Sequence, residues 1–259
     1  MVLPLGDLEK TRIIPLATYT LIALNVVVYL IELDKGVEFT TALAATPFEI
    51  SHRVDITHPF AVPQPQEVGE VRAPGPRAIP HAPAPVPVLF TLLTSLFLHG
   101  SPLHLAGNML FLWIFGDNVE EVLGTLRYLL VYVACGVMGT LVQVAADPDS
   151  MIPTLGASGA IAGVMGAYLI WFPHNQVRVL IFRFITVMPA VLVIGLWIVL
   201  QLWLGFGSLG RLGEAGGVAY LAHVGGAATG IFVAFLFREQ ARQLQARNDY
   251  RDGWFVGPD

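Results

Sequence analysis

Charge is what this chain has least of: 13% of its 259 residues are Asp, Glu, Lys or Arg, about half the share of an ordinary soluble domain. With 55% hydrophobic residues, the chain is too apolar for water and is expected to have the bilayer as its solvent. The 14 basic residues against 19 acidic ones leave a net charge of -5 and gather in no stripe, which excludes a nucleic-acid footprint. Cys135 is the single cysteine, so neither a disulfide framework nor a CxxC metal or redox site can be built. No HExxH and no Cys/His spacing is present, and no metal or organic cofactor is expected. No small-residue cleavage pattern follows the first apolar run, so that run is expected to be a retained anchor helix.

What is present is a series of apolar segments at roughly 13–33, 102–122, 125–146, 157–172, 185–205 and 218–237. Each is long enough, or nearly so, to cross a hydrocarbon core of about 30 Å at 1.5 Å per residue. These predict an all-α membrane protein, a six-helix bundle. The fourth segment, Ala157 to Phe172, spans only about 24 Å, so its start is expected to be recessed inside the bundle.

The long stretch 34–87 ends in HPFAVPQPQEVGEVRAPGPRAIPHAPAPVP, where proline density forbids helix and central strand. It is expected to be an extended, proline-rich first loop, followed at 88–99 by an interfacial or re-entrant piece broken by Gly100 and Pro102. Lys10, Arg12, Arg127, Arg178, Arg183, Arg238, Arg242, Arg247 and Arg251 share one side of a six-span layout, while the short opposite loops hold only Arg211. Both termini are therefore expected on the cytoplasmic side. The expected layout is a cytoplasmic 1–12, a first span 13–33, an extracytoplasmic 34–101, a five-helix remainder 102–237 and a cytoplasmic polar tail 238–259.

In such a layout every even-numbered helix starts at the same membrane face. His104 and Asn108 open the second span, Ser158 the fourth, and His223 lies about one turn into the sixth. All four then share one depth, where polar groups are expensive unless they pair or line a wet cavity. Gly159 and Gly163, like Gly226 and Gly230, have the small-xxx-small spacing that lets membrane helices approach closely. If those faces meet, Ser158 and His223 come within reach as nucleophile and general base. The first-turn N–H groups beside Ser158 would face a developing oxyanion, and Asn108 could add a donor. His104 and Asn108, four apart, share one helix face.

Each feature also has a plainer explanation. A serine in a glycine-rich membrane helix usually bonds a carbonyl one turn back, and glycine pairs are mostly packing devices. A membrane histidine can serve proton relay or haem ligation, for which His99, His104 and His223 are the competing set. His52, His58, His81 and His174 read as solvated surface residues, and Asp117 and Glu120 as groups that reach the headgroups or cap a turn.

Taken in order, these strings resemble the rhomboid family of intramembrane serine proteases. Gly156-Ala157-Ser158-Gly159 resembles its GxSG nucleophile motif, and Ala222-His223 with Gly226 and Gly230 its AHxxGxxxG motif. HGSPLHLAGN, with His99, His104 and Asn108, carries the HxxxN spacing used for oxyanion stabilisation, and Glu120 with Gly124 looks like the family's acidic-xxx-glycine turn. These motifs run from about His99 to Gly230, roughly half the chain. One departure is plain: no tryptophan precedes Trp113, so the Trp-Arg pair of many bacterial members is missing and the proline-rich loop stands in its place.

The resemblance implies a rhomboid-like six-helix core with a water-filled cavity open to the extracytoplasmic side. It also implies a serine endopeptidase that cuts single-span or polytopic membrane proteins in or near a transmembrane segment. Ser158 would be nucleophile, His223 general base, and Asn108 and His104 oxyanion donors, with Gly156, Gly159 and Gly226 in support. Tyr168 resembles the aromatic that stacks under the catalytic histidine, and no acidic third member is implied. The plasma membrane would be the location. The alternatives are a catalytically inactive relative serving membrane-protein binding or quality control, which usually lacks the serine or histidine, and a small transporter, whose inverted repeats are not seen.

Overall fold

Apolar sequence is converted into helix almost wherever it was expected, in a computed structural model that describes residues 2–9, 11–62, 77–208 and 219–251. In chain order the elements are β1 (Val2–Asp7), α1 (Leu16–Lys35), α2 (Val37–Leu43), α3 (Pro47–His52), β2 (Phe60–Val62), β3 (Arg77–Ile79) and α4 (Thr91–Thr94). There follow α5 (Pro102–Leu123), α6 (Thr125–Ala146), α7 (Ser158–Trp171), β4 (Gln176–Ile181), β5 (Phe184–Pro189), α8 (Ala190–Ser208), α9 (Tyr220–Leu236) and α10 (Arg238–Arg251). Six of these helices, α1 and α5 to α9, coincide with the six apolar segments. Among the described residues three helices are long and apolar enough to cross a membrane, and five if each of two bent pairs counts as one span.

The first loop is more structured than its composition predicts. Residues 37–43 and 47–52 are helical, and β2 pairs antiparallel with β3 across the proline-rich part, whose residues 63–76 lie outside the described residues, as do 209–218 with Arg211. Pro47 occupies the first turn of α3, where a missing N–H costs nothing. His81 is buried and bonds the Met151 carbonyl oxygen at 2.9 Å, so it is not the solvated residue expected. The broken segment Val88–Phe97 meets α5 at 77°, the geometry expected of an interfacial or re-entrant piece.

The core centres on α7. Of its 14 residues 11 are buried, and it packs against α5, α6 and α9. A helix apolar on every side belongs inside a bundle. Its length, about 21 Å, falls short of the hydrocarbon thickness, and the expected recess of Ser158 rests on that shortfall. Around it the outward faces carry Leu130, Trp203, Phe232 and Phe235, all more than half exposed, as suits side chains solvated by lipid.

Glu120 shows how a carboxylate is kept in such a core. Fully buried on α5, it accepts hydrogen bonds from the backbone N–H groups of Ala17 and Thr18 at 2.9 Å and from the hydroxyls of Thr18 and Thr125 at 2.9 and 3.0 Å. It thus caps the N-terminus of α1, where an anion meets unpaired donors and the positive end of the helix dipole. Gly124, at φ +74°, then lets α6 begin one residue after α5 ends.

The sheet was not foreseen. The sequence predicts a fifth span from about 185, with Arg178 and Arg183 in its flank. Instead β4 and β5 form a hairpin turning at Phe182 (φ +53°), and β1 joins it as a third, antiparallel strand. Val177 and Val179 point inward and Gln176 and Arg178 outward, the period-2 pattern of a half-buried strand. The strand β1 is also tied to the bundle. Asp7 accepts from Asn118 Nδ2 at 3.1 Å and from the Tyr168 hydroxyl.

Burial raises the Asp7 carboxyl to about 6, against the pull of the Tyr168 hydrogen bond. Between the unfolded value of about 3.9 and this folded value the folded chain holds a proton that the unfolded chain has lost. The stability owed to Asp7 is therefore present in acid, falls as pH rises through about 4 to 6, and stays low above. Melting temperatures across that window should show this decline in the wild type and a shallower one in Asp7→Asn.

Candidate active site

The cavity side of α7 is prepared by the extended residues before it. Gly156 sits at φ +120°, a conformation that side-chain-bearing residues rarely adopt, and its N–H donates to the Ser95 carbonyl at 2.8 Å. Ser158 follows as the first residue of α7, beside first-turn N–H groups that have no acceptor within the helix.

Two glycines let α9 lie against this turn. A Cβ at Gly226 would land on the Gly159 carbonyl oxygen, and one at Gly230 on the Gly163 carbonyl oxygen. The backbones of α7 and α9 therefore touch, as the small-residue spacing predicted. His223, one turn above Gly226 on α9, is carried to Ser158 by that approach. The Ser158 hydroxyl donates to His223 Nε2 at 2.7 Å. His223 is 8% exposed, so the pair sits at the edge of solvent rather than in it.

Across from the pair, α5 begins with Ser101 accepting from the His104 N–H at 3.2 Å and Pro102 in the first turn, a strong helix start. One turn on, Asn108 joins His104 on the face toward Gly156. A Cβ at Gly156 would come within 2.8 Å of His104 Cε1 and 3.7 Å of Asn108 Nδ2. The side chains proposed from sequence as oxyanion donors thus lie over the glycine two residues before Ser158. Asn108 Nδ2 also donates to His99 Nε2 at 3.0 Å, and the His99 N–H donates to the Glu32 carboxylate at 3.0 Å. His99 was noted from sequence, but its place behind Asn108 comes from the fold. Ser158, His223, His104, Asn108 and Gly156 all line one open cavity of about 650 Å³.

Tyr168 is elsewhere. Ten residues beyond Ser158, it lies about 15 Å along the helix axis, bonded to Asp7 and Asn175 and packed edge-on against Phe115 at 5.0 Å. It belongs to the sheet end and does not stack on His223. The ring beside His223 is that of Trp197 from α8, at 5.6 Å between centroids and tilted by 34°. One turn on, Gln201, 7% exposed, places Oε1 2.7 Å from His223 Nδ1. Neither residue was singled out from sequence. Their spacing of four on an apolar helix was the available signal.

Comparison with known proteins places the chain in a family. The family model described as Rhomboid domain matches residues 87–240. The chain is 28% identical over 170 residues to Rhomboid protein 1, mitochondrial, of Saccharomyces cerevisiae, covering 64% of this chain and 47% of that protein. It is 36% identical over 143 residues to Rhomboid protease GluP of Bacillus subtilis, covering 55% and 25%. To RHOMBOID-like protein 5 of Arabidopsis thaliana it is 33% identical over 145 residues, covering 56% and 43%. The chain thus spans less than half the length of these curated relatives. The matched region holds every motif from His99 to Gly230 and the helices that bring them together, and this integral membrane protein belongs to the rhomboid family.

Proposed function

We propose that the chain is an intramembrane serine endopeptidase that hydrolyses a peptide bond in or near the transmembrane segment of membrane-protein substrates. The observation that carries this reading is the 2.7 Å hydrogen bond from Ser158 Oγ to His223 Nε2 inside an open cavity beside a helix start. Neutral His223 takes the Ser158 proton as Oγ bonds the substrate carbonyl carbon, and the carbonyl electron pair moves to oxygen. The Ser158 N–H, Asn108 and His104 stabilise that oxyanion. On collapse His223 returns the proton to the leaving amine, and water then releases the acyl group by the reverse sequence. Gly156, Gly159 and Gly226 serve by letting backbones and rings approach, and no cofactor takes part.

The proposed setting has six spans, both termini cytoplasmic and the cavity opening to the opposite side, in the plasma membrane. The basic flanks favour it, and so does the gathering of β1, the β4–β5 hairpin and α10 at the end of α7 remote from Ser158. The proline-rich loop 34–87 would lie on the cavity side. Purified chain in liposomes, mixed with a panel of single-span substrates, should cut at least one of them within or beside the span. No cut in any of them would count against the reading.

Asn108 offers a finer test, because a donor to charge that develops in the transition state affects turnover and not binding. Removing one such donor costs about 10²- to 10³-fold. Asn108→Ala should lower kcat by about that factor with KM nearly unchanged. If the variant melts early yet cuts at the original rate while folded, Asn108 is a structural bridge to His99 and no more.

A further inference from the structure

The sequence offers no carboxylate at the depth of His223, and so no third member behind a serine and histidine pair. The fold supplies a different group. Gln201, on α8, reaches His223 Nδ1 at 2.7 Å on the side of the ring opposite Nε2, which is itself 2.7 Å from Ser158 Oγ. Serine oxygen, both ring nitrogens and the amide oxygen thus form one continuous relay. Trp197, one turn before Gln201, lies along the same ring, so α8 both covers the imidazole and supplies its second hydrogen bond.

The chemistry of a neutral imidazole makes this contact consequential. One ring nitrogen carries the proton and the other accepts, and the partner of the first decides which is which. A side-chain carbonyl can only accept. With Gln201 Oε1 against Nδ1, the proton sits on Nδ1 and Nε2 is left with the lone pair that must take the serine proton. A partner that donated to Nδ1 instead would put the proton on Nε2, where it would block the transfer.

We propose that Gln201 is a positioning residue, whose side-chain carbonyl holds His223 in the tautomer and ring orientation that make Nε2 the base for Ser158. Gln201 touches neither Ser158 nor substrate in this role and acts only through His223. Once the serine proton has moved, the same carbonyl faces a ring carrying positive charge, and a hydrogen bond to a charged group is stronger than one to a neutral group. The contact therefore favours the transition state over the resting state. The plainer explanation is that a glutamine in an apolar helix bonds the nearest polar group it finds. That would give Gln201 a part in stability and none in turnover.

The inference rests on the proteolytic reading, and the experiment separates the two. Wild type, Gln201→Met and Gln201→Glu would be purified as full chains and compared in substrate cleavage, fluorophosphonate labelling of Ser158 and melting temperature. Methionine keeps the length and apolar stem and loses the acceptor, whereas glutamate restores an acceptor oxygen at the same reach. Gln201→Met should lower kcat about tenfold or more with KM unchanged, and slow labelling by a similar factor, the expected loss for one well-placed buried hydrogen bond. Gln201→Glu should recover most of that loss. Active wild type with an equally active Gln201→Met overturns the role of Gln201 and leaves the protease standing. So does a fall in melting temperature with an unaltered rate in the folded fraction. Wild type that neither cuts nor labels overturns both.

Discussion

Gly230→Ala and Gly226→Ala are expected to unfold the bundle or leave it barely folded, although each adds one methyl group. At Gly230 that group would occupy the position of the Gly163 carbonyl oxygen, and at Gly226 that of the Gly159 carbonyl oxygen. Neither obstacle can rotate away, since both are backbone atoms of α7, the most enclosed helix. The two helices would have to separate by the width of a methyl group. Overpacking against movable side chains costs about 1–3 kcal/mol, and a rigid carbonyl puts these two at or above the top of that range, against a total stability of roughly 5–15 kcal/mol. Gly195→Ala is the matched control. It lies on α8 with nothing within 4 Å of its added Cβ, and alanine there should be neutral or stabilising by up to about 1 kcal/mol, the gain in helix propensity. Thermal unfolding in one detergent compares all three. Gly230→Ala melting alongside Gly195→Ala would show that α7 and α9 do not touch as described.

Ser158→Ala and His223→Ala should each take cleavage to the limit of detection, a fall of about 10⁶-fold if the pair acts as a unit. Combining them should cost little beyond either alone. Ser158→Ala should melt near the wild type, because the Ser158 hydroxyl faces the cavity and contributes little packing, whereas His223→Ala should melt lower, because it removes a buried ring and leaves Gln201 Oε1 without its partner. Cleavage assays on the three variants with one substrate decide the point. Residual turnover of a tenth of wild type in either single variant would mean another nucleophile or base.

Much of this site was legible in the sequence for a geometric reason. Helices of one depth, counted through an even number of crossings, put Ser158, His223, His104 and Asn108 at one level before any contact was known. The glycine spacings named the pair of helices that had to touch. What stayed hidden depends on contacts distant in the chain. The β4–β5 hairpin falls where the sequence reads as the flank and start of the fifth helix, because QVRVLIFRFITVMP is mostly apolar and its two arginines suit a helix flank. Its alternation, Val177 and Val179 in and Arg178 out, is a strand signal, but the pairing with β1 joins residues some 170 positions apart. Tyr168 was misplaced where arithmetic could have helped, since ten helical residues separate it from Ser158 by about 15 Å. Gln201 and Trp197 could be seen as neighbours on α8, but nothing in the sequence said which face of α8 meets His223. Glu120 reads in the sequence as a group that reaches the headgroups or caps a turn, and the helix it caps begins a hundred residues earlier.

Covalent capture of the nucleophile tests the dyad most directly, because it needs no knowledge of the natural substrate. Purified wild-type chain in detergent, treated with a fluorophosphonate and digested for mass spectrometry, should carry the phosphonyl group on Ser158 alone. Labelling should vanish in Ser158→Ala and become very slow in His223→Ala, since the hydroxyl is a weak nucleophile without its base. A wild-type chain that stays unlabelled while folded, or a Ser158→Ala chain that labels as fast as the wild type, would contradict the assignment of Ser158 and His223 as the reacting pair.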